Sequence, residues 1–138
     1  MRLEGKNAII TGGASGFGKE TALLFAKEGA DVAILDLDLE GANVTAGDVR
    51  SLGRNSVAVA VDVSKEDSVK KGFKEAIDFF KKVDILVNCA GLGRSKKIQD
   101  LTLEEWMYLV NVNMTGTFLC CREIIQHMTD NKCGKIVN

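Results

Sequence analysis

The passage from Asn7 to Glu20, NAIITGGASGFGKE, constrains this chain more than any other: a short apolar run enters a glycine cluster and leaves into TALLFAKEGA. Apolar and β-branched residues, then glycines, then helical spacing predict a strand, a tight turn and a helix. A helix starting at a strand's carboxyl end turns its first N–H groups, and the positive end of its dipole, toward the space above the sheet. Such turns hold phosphate groups, so the questions are which phosphates and for what chemistry.

The rest of the chain repeats the alternation, without linker, repeat or low-complexity tract. Asn7 to Thr11 reads as the first strand. The helix after it, starting near Ser15, places Ala22, Phe25, Ala26 and Gly29 on one face, small enough for close approach to a sheet. Asp31 to Leu35 is a second strand, Leu39 to Leu52 a surface helix and Ser56 to Val61 a third strand. Ser64-Lys-Glu-Asp67 has capping-box spacing for a helix running to about Lys81. Asp84 to Asn88 is a fourth strand. Thr102-Leu-Glu-Glu105 is a second capping box, opening a helical region through Met128 that bends near Gly116, and Lys135 to Asn138 begins a fifth strand. Strands of nearly continuous Val, Ile, Leu and Ala belong to a parallel sheet covered on both faces. Right-handed crossovers then give a doubly wound α/β sheet with a ligand crevice at the carboxyl ends of its strands. At 138 residues and 46% hydrophobic, the chain is one domain's worth of sequence.

Charge and cysteines narrow the function classes. The net charge is only -1, with lysine and arginine spread along the chain, so no basic footprint points to a nucleic-acid partner. No apolar run reaches the roughly 20 residues of a membrane helix, and the first residues lack a signal peptide's apolar stretch, so the expected address is the cytoplasm. The four cysteines, Cys89, Cys120, Cys121 and Cys133, show no Cys-x-x-Cys spacing, and His127 is the only histidine. Neither a metal site nor a disulfide framework is expected, and the thiols read as reduced and buried. Small-molecule chemistry remains.

The glycine cluster fits two such chemistries. Gly13-Ala-Ser-Gly-Phe-Gly18-Lys19 satisfies the Gly-x-x-x-x-Gly-Lys part of a P-loop, and VAILD ending at Asp36 could be a magnesium-holding strand end. The next position, however, is Glu20, where a P-loop needs a Ser or Thr hydroxyl for Mg²⁺ and where a carboxylate would repel phosphate. The other chemistry is a dinucleotide site, in which Gly12, Gly16 and Gly18 allow a tight turn, close approach to a pyrophosphate and close helix packing. The spacing is Gly-x-x-x-Gly-x-Gly rather than Gly-x-Gly-x-x-Gly, and alone it also fits a purely structural turn. Asp36 follows at about the expected 20 residues, where a carboxylate can accept hydrogen bonds from both ribose hydroxyls of NAD. It would repel the 2′-phosphate of NADP, and Leu37, Asp38 and Leu39 supply no arginine, so NAD is the preferred cofactor. Taken alone, Asp36 could equally be a strand-end turn or helix-capping residue.

With these residues in place, the chain resembles the short-chain dehydrogenases/reductases. Thr11-Gly-Gly-Ala-Ser-Gly-Phe-Gly18 is similar to that family's Thr-Gly-x-x-x-Gly-x-Gly cofactor loop, with Phe17 where Ile or Leu is more usual. Asp62-Val63 resembles its adenine-contacting pair. Asn88-Cys-Ala-Gly91 resembles its Asn-Asn-Ala-Gly motif, with Cys89 replacing the second Asn. Asn113-Met-Thr-Gly116 resembles its Asn-x-x-Gly segment, whose Asn helps place a catalytic water and the active-site lysine. The resemblance covers the whole chain. It implies a Rossmann-type sheet in the order 3-2-1-4-5, residues 1–138 forming a partial NAD-binding domain. It implies a cofactor site of Gly12, Ser15, Gly16, Phe17, Gly18, Asp36, Asp62, Val63, Asn88, Ala90 and Gly91, and Asn113 as the one catalytic candidate. It also implies hydride transfer between nicotinamide and a carbonyl or secondary alcohol, and a homo-oligomeric full-length protein.

Read as residues, Asn88 and Asn113 could equally be structural amides tying loops together. Trp106, Leu101, Leu103, Leu109 and Val110 are expected in the core. Tyr108 has Val112 four residues on rather than lysine, so no Tyr-x-x-x-Lys acid–base pair exists and Tyr108 is expected to pack. In the family, GKIVN continues into a serine and the Tyr-x-x-x-Lys helix, whereas this chain stops at Asn138. The expectation is therefore a fragment that carries the cofactor-binding part and is inactive by itself, its sheet incomplete on the C-terminal side. The competing class is a non-catalytic NAD(H)-binding module or redox sensor.

Overall fold

The computed structural model describes residues 1–93 and 95–138. Five parallel strands, β1 (Asn7–Thr11), β2 (Asp31–Asp36), β3 (Ser56–Ala60), β4 (Ile85–Asn88) and β5 (Lys135–Val137), form one sheet in the order β3-β2-β1-β4-β5. In its register Ile9 stands opposite Ala33 on one side and Leu86 on the other. The helices are α1 (Gly16–Lys27), α2 (Leu39–Ser51), α3 (Glu66–Phe80), α4 (Leu103–Val110) and α5 (Gly116–Asp130).

Because side chains alternate along a strand, each strand feeds two cores. Ala8, Ile10, Val32, Ile34 and Val87 face α1 and α2, where Ala22, Ala26, Ala42, Ala46 and Val49 are buried. Ile9, Ala33, Leu35, Val59 and Leu86 face Val69, Phe73 and Ala76 of α3 and Leu119, Ile124 and Met128 of α5. Small residues on the first face let its helices lie close, while the second is filled by larger ones. The doubly wound arrangement and its strand order are as expected.

Local details differ from expectation for identifiable reasons. Helix α2 is a covering layer of the sheet rather than a surface element, since it buries Ala42, Thr45, Ala46 and Val49. Helix α1 ends at Lys27, and Gly29 takes φ +97° in the turn beyond it. The expected Ser64 capping box does not form. The Ser64 hydroxyl donates instead to Asp62 Oδ1 at 2.6 Å, and α3 starts at Glu66 with no side-chain cap. The Thr102 box does form: Glu105 N–H donates to Thr102 Oγ1 at 3.1 Å and Thr102 N–H to Glu105 Oε2 at 2.9 Å. Between α4 and α5 the bend is a π-helical segment, Asn111–Thr115.

Helix α4 overturns the core assignment made for its apolar residues. None of its residues is buried; Leu103 and Trp106 are exposed, and Leu109, Val110 and the preceding Leu101 are half-buried. Its periodicity is amphipathic, but its main packing partner among the described residues is the π segment, which leaves most of its apolar side in solvent. Among the described residues no helix is long and apolar enough to cross a membrane.

Candidate functional site

The carboxyl ends of β1 to β4 open onto a cleft of about 390 Å³. Ten of the residues singled out in the sequence line it: Gly12, Ser15, Gly16, Phe17, Gly18, Asp36, Asp62, Val63, Ala90 and Gly91. Asn88 and Asn113 do not.

The turn after β1 needs glycine for steric reasons that differ at each position. Gly12 has φ +67°, and a Cβ there would sit 2.7 Å from the backbone of Ala90, so the β1 and β4 loops touch main chain to main chain. A Cβ on Gly18 would lie 2.1 Å from the Gly12 carbonyl oxygen, so α1 is seated directly on the turn. Gly16 has φ +54° and no atom within 4 Å of its would-be Cβ; it opens onto the cleft. Helix α1 begins there without a side-chain cap from Ser15 and with no acidic residue in its first turn. Its amino-terminal N–H groups therefore face the cleft uncompensated, which favours an anion.

Asp36 locks this turn to β2. Its Oδ2 accepts the Ala14 N–H at 2.9 Å and its Oδ1 the Asp38 N–H at 2.9 Å. Each oxygen keeps a second lone pair for a ligand hydroxyl. Asp62, two residues beyond β3, accepts both Ser64 donors on Oδ1, the hydroxyl at 2.6 Å and the N–H at 3.0 Å. Phe17 stands 89% exposed at the rim. Lys19, the P-loop lysine of the alternative reading, turns away from the cleft to pair with Asp48 of α2 at 2.9 Å.

On the β4 side the Ala90 N–H donates to Thr11 Oγ1 at 3.2 Å. Asn113, in the π segment, accepts the Leu92 N–H on Oδ1 at 3.0 Å and donates from Nδ2 to the Leu92 carbonyl at 2.8 Å. Its Oδ1 would lie 2.7 Å from a Cβ on Gly91, so residue 91 must be glycine if the amide is to reach the loop. Asn88 faces the other way, donating to Asn138 Oδ1 at 2.7 Å and to Cys121 Sγ at 3.4 Å, while its own buried Oδ1 has no partner among the described residues.

Sequence reasoning missed the walls of the cleft. Leu35, Leu37, Val61, Cys89, Leu92, Tyr108 and Val112 also line it. Tyr108 corrects an expectation: it is 43% exposed on the cleft rather than packed, because α4 does not reach a core. Its spacing of four from Val112 was the available signal, since both fall on one helical face. Burial pushes the Cys89 thiol up, against a smaller lowering by Thr21. The lining thus offers helix N–H groups, two carboxylates, apolar walls and one phenol without a lysine partner, a set suited to holding a polar ligand with a flat apolar part.

A family model described as short chain dehydrogenase matches residues 6–138. The chain is 41% identical, over its whole length, to the (2S)-[(R)-hydroxy(phenyl)methyl]succinyl-CoA dehydrogenase subunit of Thauera aromatica, covering 56% of that protein. It is 36% identical to the D-threitol dehydrogenase of Mycolicibacterium smegmatis, again over its whole length and over 53% of the relative. Among solved structures, NAD+-bound xylitol dehydrogenase superposes with a TM-score of 0.96 at 29% identity, over 100% of this chain and 54% of that one. The 3-ketoacyl-(acyl-carrier-protein) reductase of Brucella melitensis complexed with NADH gives 0.86 at 42% identity, over 94% of this chain and 52% of that one. The chain therefore spans about half the length of the proteins it matches.

Proposed function

Because this chain belongs to the short-chain dehydrogenase family, we propose that it carries the NAD-binding part of an oxidoreductase acting on a small carbonyl or secondary alcohol. The observation that carries the reading is Asp36, whose carboxylate is clamped onto the glycine turn by the Ala14 N–H. That places a fixed negative charge beside the anion-binding start of α1. When bound, the nicotinamide supplies or accepts the hydride.

The chain's own residues bind and orient. The uncapped N-terminus of α1, reached through Gly16, takes the pyrophosphate. Asp36 accepts the adenosine ribose hydroxyls and repels a 2′-phosphate, so NAD is preferred over NADP. Asp62 and Val63 form the adenine side, and Ala90 and Gly91 let the backbone approach the ligand closely. Asn88 supports that loop from beneath through Asn138 and Cys121. Asn113 serves the chemistry as a positioning residue, since both ends of its amide hold Leu92. In the whole protein we propose homo-oligomerisation through the exposed apolar residues of α4 and α5, among them Trp106, Met107, Phe118 and Ile125. We place it in the cytoplasm, a reducing compartment that suits four free cysteines.

The test is calorimetric titration with NAD, NADP and Mg-ATP. Saturable NAD binding is expected, tighter than NADP and without response to Mg-ATP. Asp36→Ala should weaken NAD about tenfold, the scale of one charged hydrogen-bonding group, and move the NAD/NADP preference toward NADP. A well-folded chain that binds no NAD would overturn the reading.

A further inference from the structure

The residue in the cleft with no assigned task is Tyr108. It sits in α4, which buries nothing, yet it lines the cleft and also a shallower recess formed with Glu104, Glu105, Met107 and Asn111. Its side chain is thus a ridge between the two hollows. One turn on, Val112 is 7% exposed, lines the same cleft and belongs to the core that contains Val61 and Val63. One turn further, Gly116 is pressed so closely on the loop after β3 that a Cβ would lie 2.8 Å from Val63 Cγ2. These contacts fix the helical segment over the β3 side of the cleft. Tyr108, on the same segment, lines the cleft together with Leu37, Val61, Asp62 and Val63.

That end is an apolar slot with a carboxylate at its edge, the shape of a site for a flat heteroaromatic ring bearing an exocyclic amine. The Tyr108 ring is available to complete it. Among the described residues the ring pairs with no other aromatic and no cation, and the hydroxyl makes no hydrogen bond. An exposed aromatic face over an apolar slot is suited to stacking on a base.

We propose that Tyr108 is the aromatic wall of the adenine end of the cleft and a determinant of cofactor affinity, a role that rests on the dinucleotide reading above. The test titrates the chain and its Tyr108→Ala and Tyr108→Phe variants with NAD and with ADP-ribose, which keeps the adenine half and lacks nicotinamide. Tyr108→Ala should weaken both ligands by the same factor, roughly fivefold to tenfold, while Tyr108→Phe binds both as the parent does. All three proteins should melt within about 3 °C of one another, because a 43% exposed side chain leaves no large cavity. Unchanged ADP-ribose binding by Tyr108→Ala would overturn the proposal, as would a larger loss for NAD than for ADP-ribose or a Tyr108→Phe variant as weak as Tyr108→Ala. If the parent chain binds neither ligand, the dinucleotide reading itself fails, a result distinguishable from a parent that binds and a Tyr108→Ala variant that binds equally well.

Discussion

Gly18 and Gly16 lie two positions apart, and the structure assigns them opposite sensitivities. An alanine Cβ at Gly18 would lie 2.1 Å from the Gly12 carbonyl oxygen, far inside contact distance, and the obstacle is main chain that no rotamer change can move. Overpacking costs about 1–3 kcal/mol where side chains can adjust, so the upper end, about 3 kcal/mol, applies here. Alanine's better helix propensity returns about 1 kcal/mol, leaving a net loss of about 2 kcal/mol. For 138 residues the unfolding entropy is about 0.29 kcal/mol/K, so the Gly18→Ala melt should fall by about 7 °C. At Gly16 nothing stands within 4 Å, and the cost is only that of a left-handed φ of +54°, about 1 kcal/mol or 3–4 °C. The new methyl, however, projects toward the cleft where the first N–H groups of α1 are exposed, so NAD affinity should drop at least tenfold. Thermal melts followed by circular dichroism, then NAD titration of each variant below its melt, separate the two effects. A Gly18→Ala variant that melts no lower than Gly16→Ala would refute the assigned packing of α1 on the turn. A Gly16→Ala variant with the parent's affinity would refute the assigned path to the helix N-terminus.

Asn113→Ala removes two hydrogen bonds to Leu92 and should cost about 1–3 kcal/mol, seen as a melt lowered by about 3–10 °C and as faster amide exchange at Leu92. At the far end of the sheet, burial pulls the Asp84 carboxyl up, but the Lys82 ammonium at 2.9 Å, the Asn7 N–H and Lys6 outweigh it and hold the group below the usual carboxylate range. A depressed pKa means stabilisation that is present above the unfolded value of about 3.9 and is lost as pH falls through the folded one. Asp84→Asn should therefore melt lower than the parent at pH 7, with the gap closing below about pH 4; a gap independent of pH would exclude the ionic contribution. Cys120 is buried and its thiol is pushed up to about 12, first by burial and then by Cys121, whereas Cys133 is exposed. Ellman's reagent should modify Cys133 within the first phase and Cys120 only at the rate of unfolding, as mass spectrometry of timed samples would show.

What the sequence revealed and what it hid follow one physical division. Residues fixed by backbone demands were legible: Gly12, Gly16 and Gly18 because the turn tolerates little else, and Asp36 because its spacing of about 20 residues from the turn put its carboxylate at the strand end beside it, although that spacing alone fitted a turn or capping residue equally well. The strands were legible because parallel strands buried on both faces leave long apolar runs. The Thr102 capping box formed as read because its two bonds are local, while the Ser64 box failed because Asp62 competes for the same hydroxyl. The cleft walls were not legible. Tyr108 and Val112 reach it only because Gly116 lets the segment close on Val63, a contact 53 positions apart in the chain. Amphipathic spacing alone could not tell that α4 would meet a cleft rather than a core.

The cleft is shaped before any ligand arrives. The β1 turn and the β4 loop are held by side chains reaching from other elements: Asp36 of β2 holds the β1 turn at Ala14, Thr11 of β1 holds the β4 loop at Ala90, and Asn113 of the π segment holds that loop at Leu92. Gly12 and Gly91 permit these ties by bringing main chains to within contact of their neighbours. Because these ties hold the chain at Ala14, Ala90 and Leu92, binding has less to order there, and the lost-entropy cost of association falls more on the ligand. Asp36 consequently has two roles that one substitution removes together, since the carboxylate that would accept ribose hydroxyls also holds the glycine turn. Asp36→Asn separates them. Its amide oxygen can still accept one N–H, so it should retain more turn stability than Asp36→Ala, while losing the charge proposed to repel a 2′-phosphate.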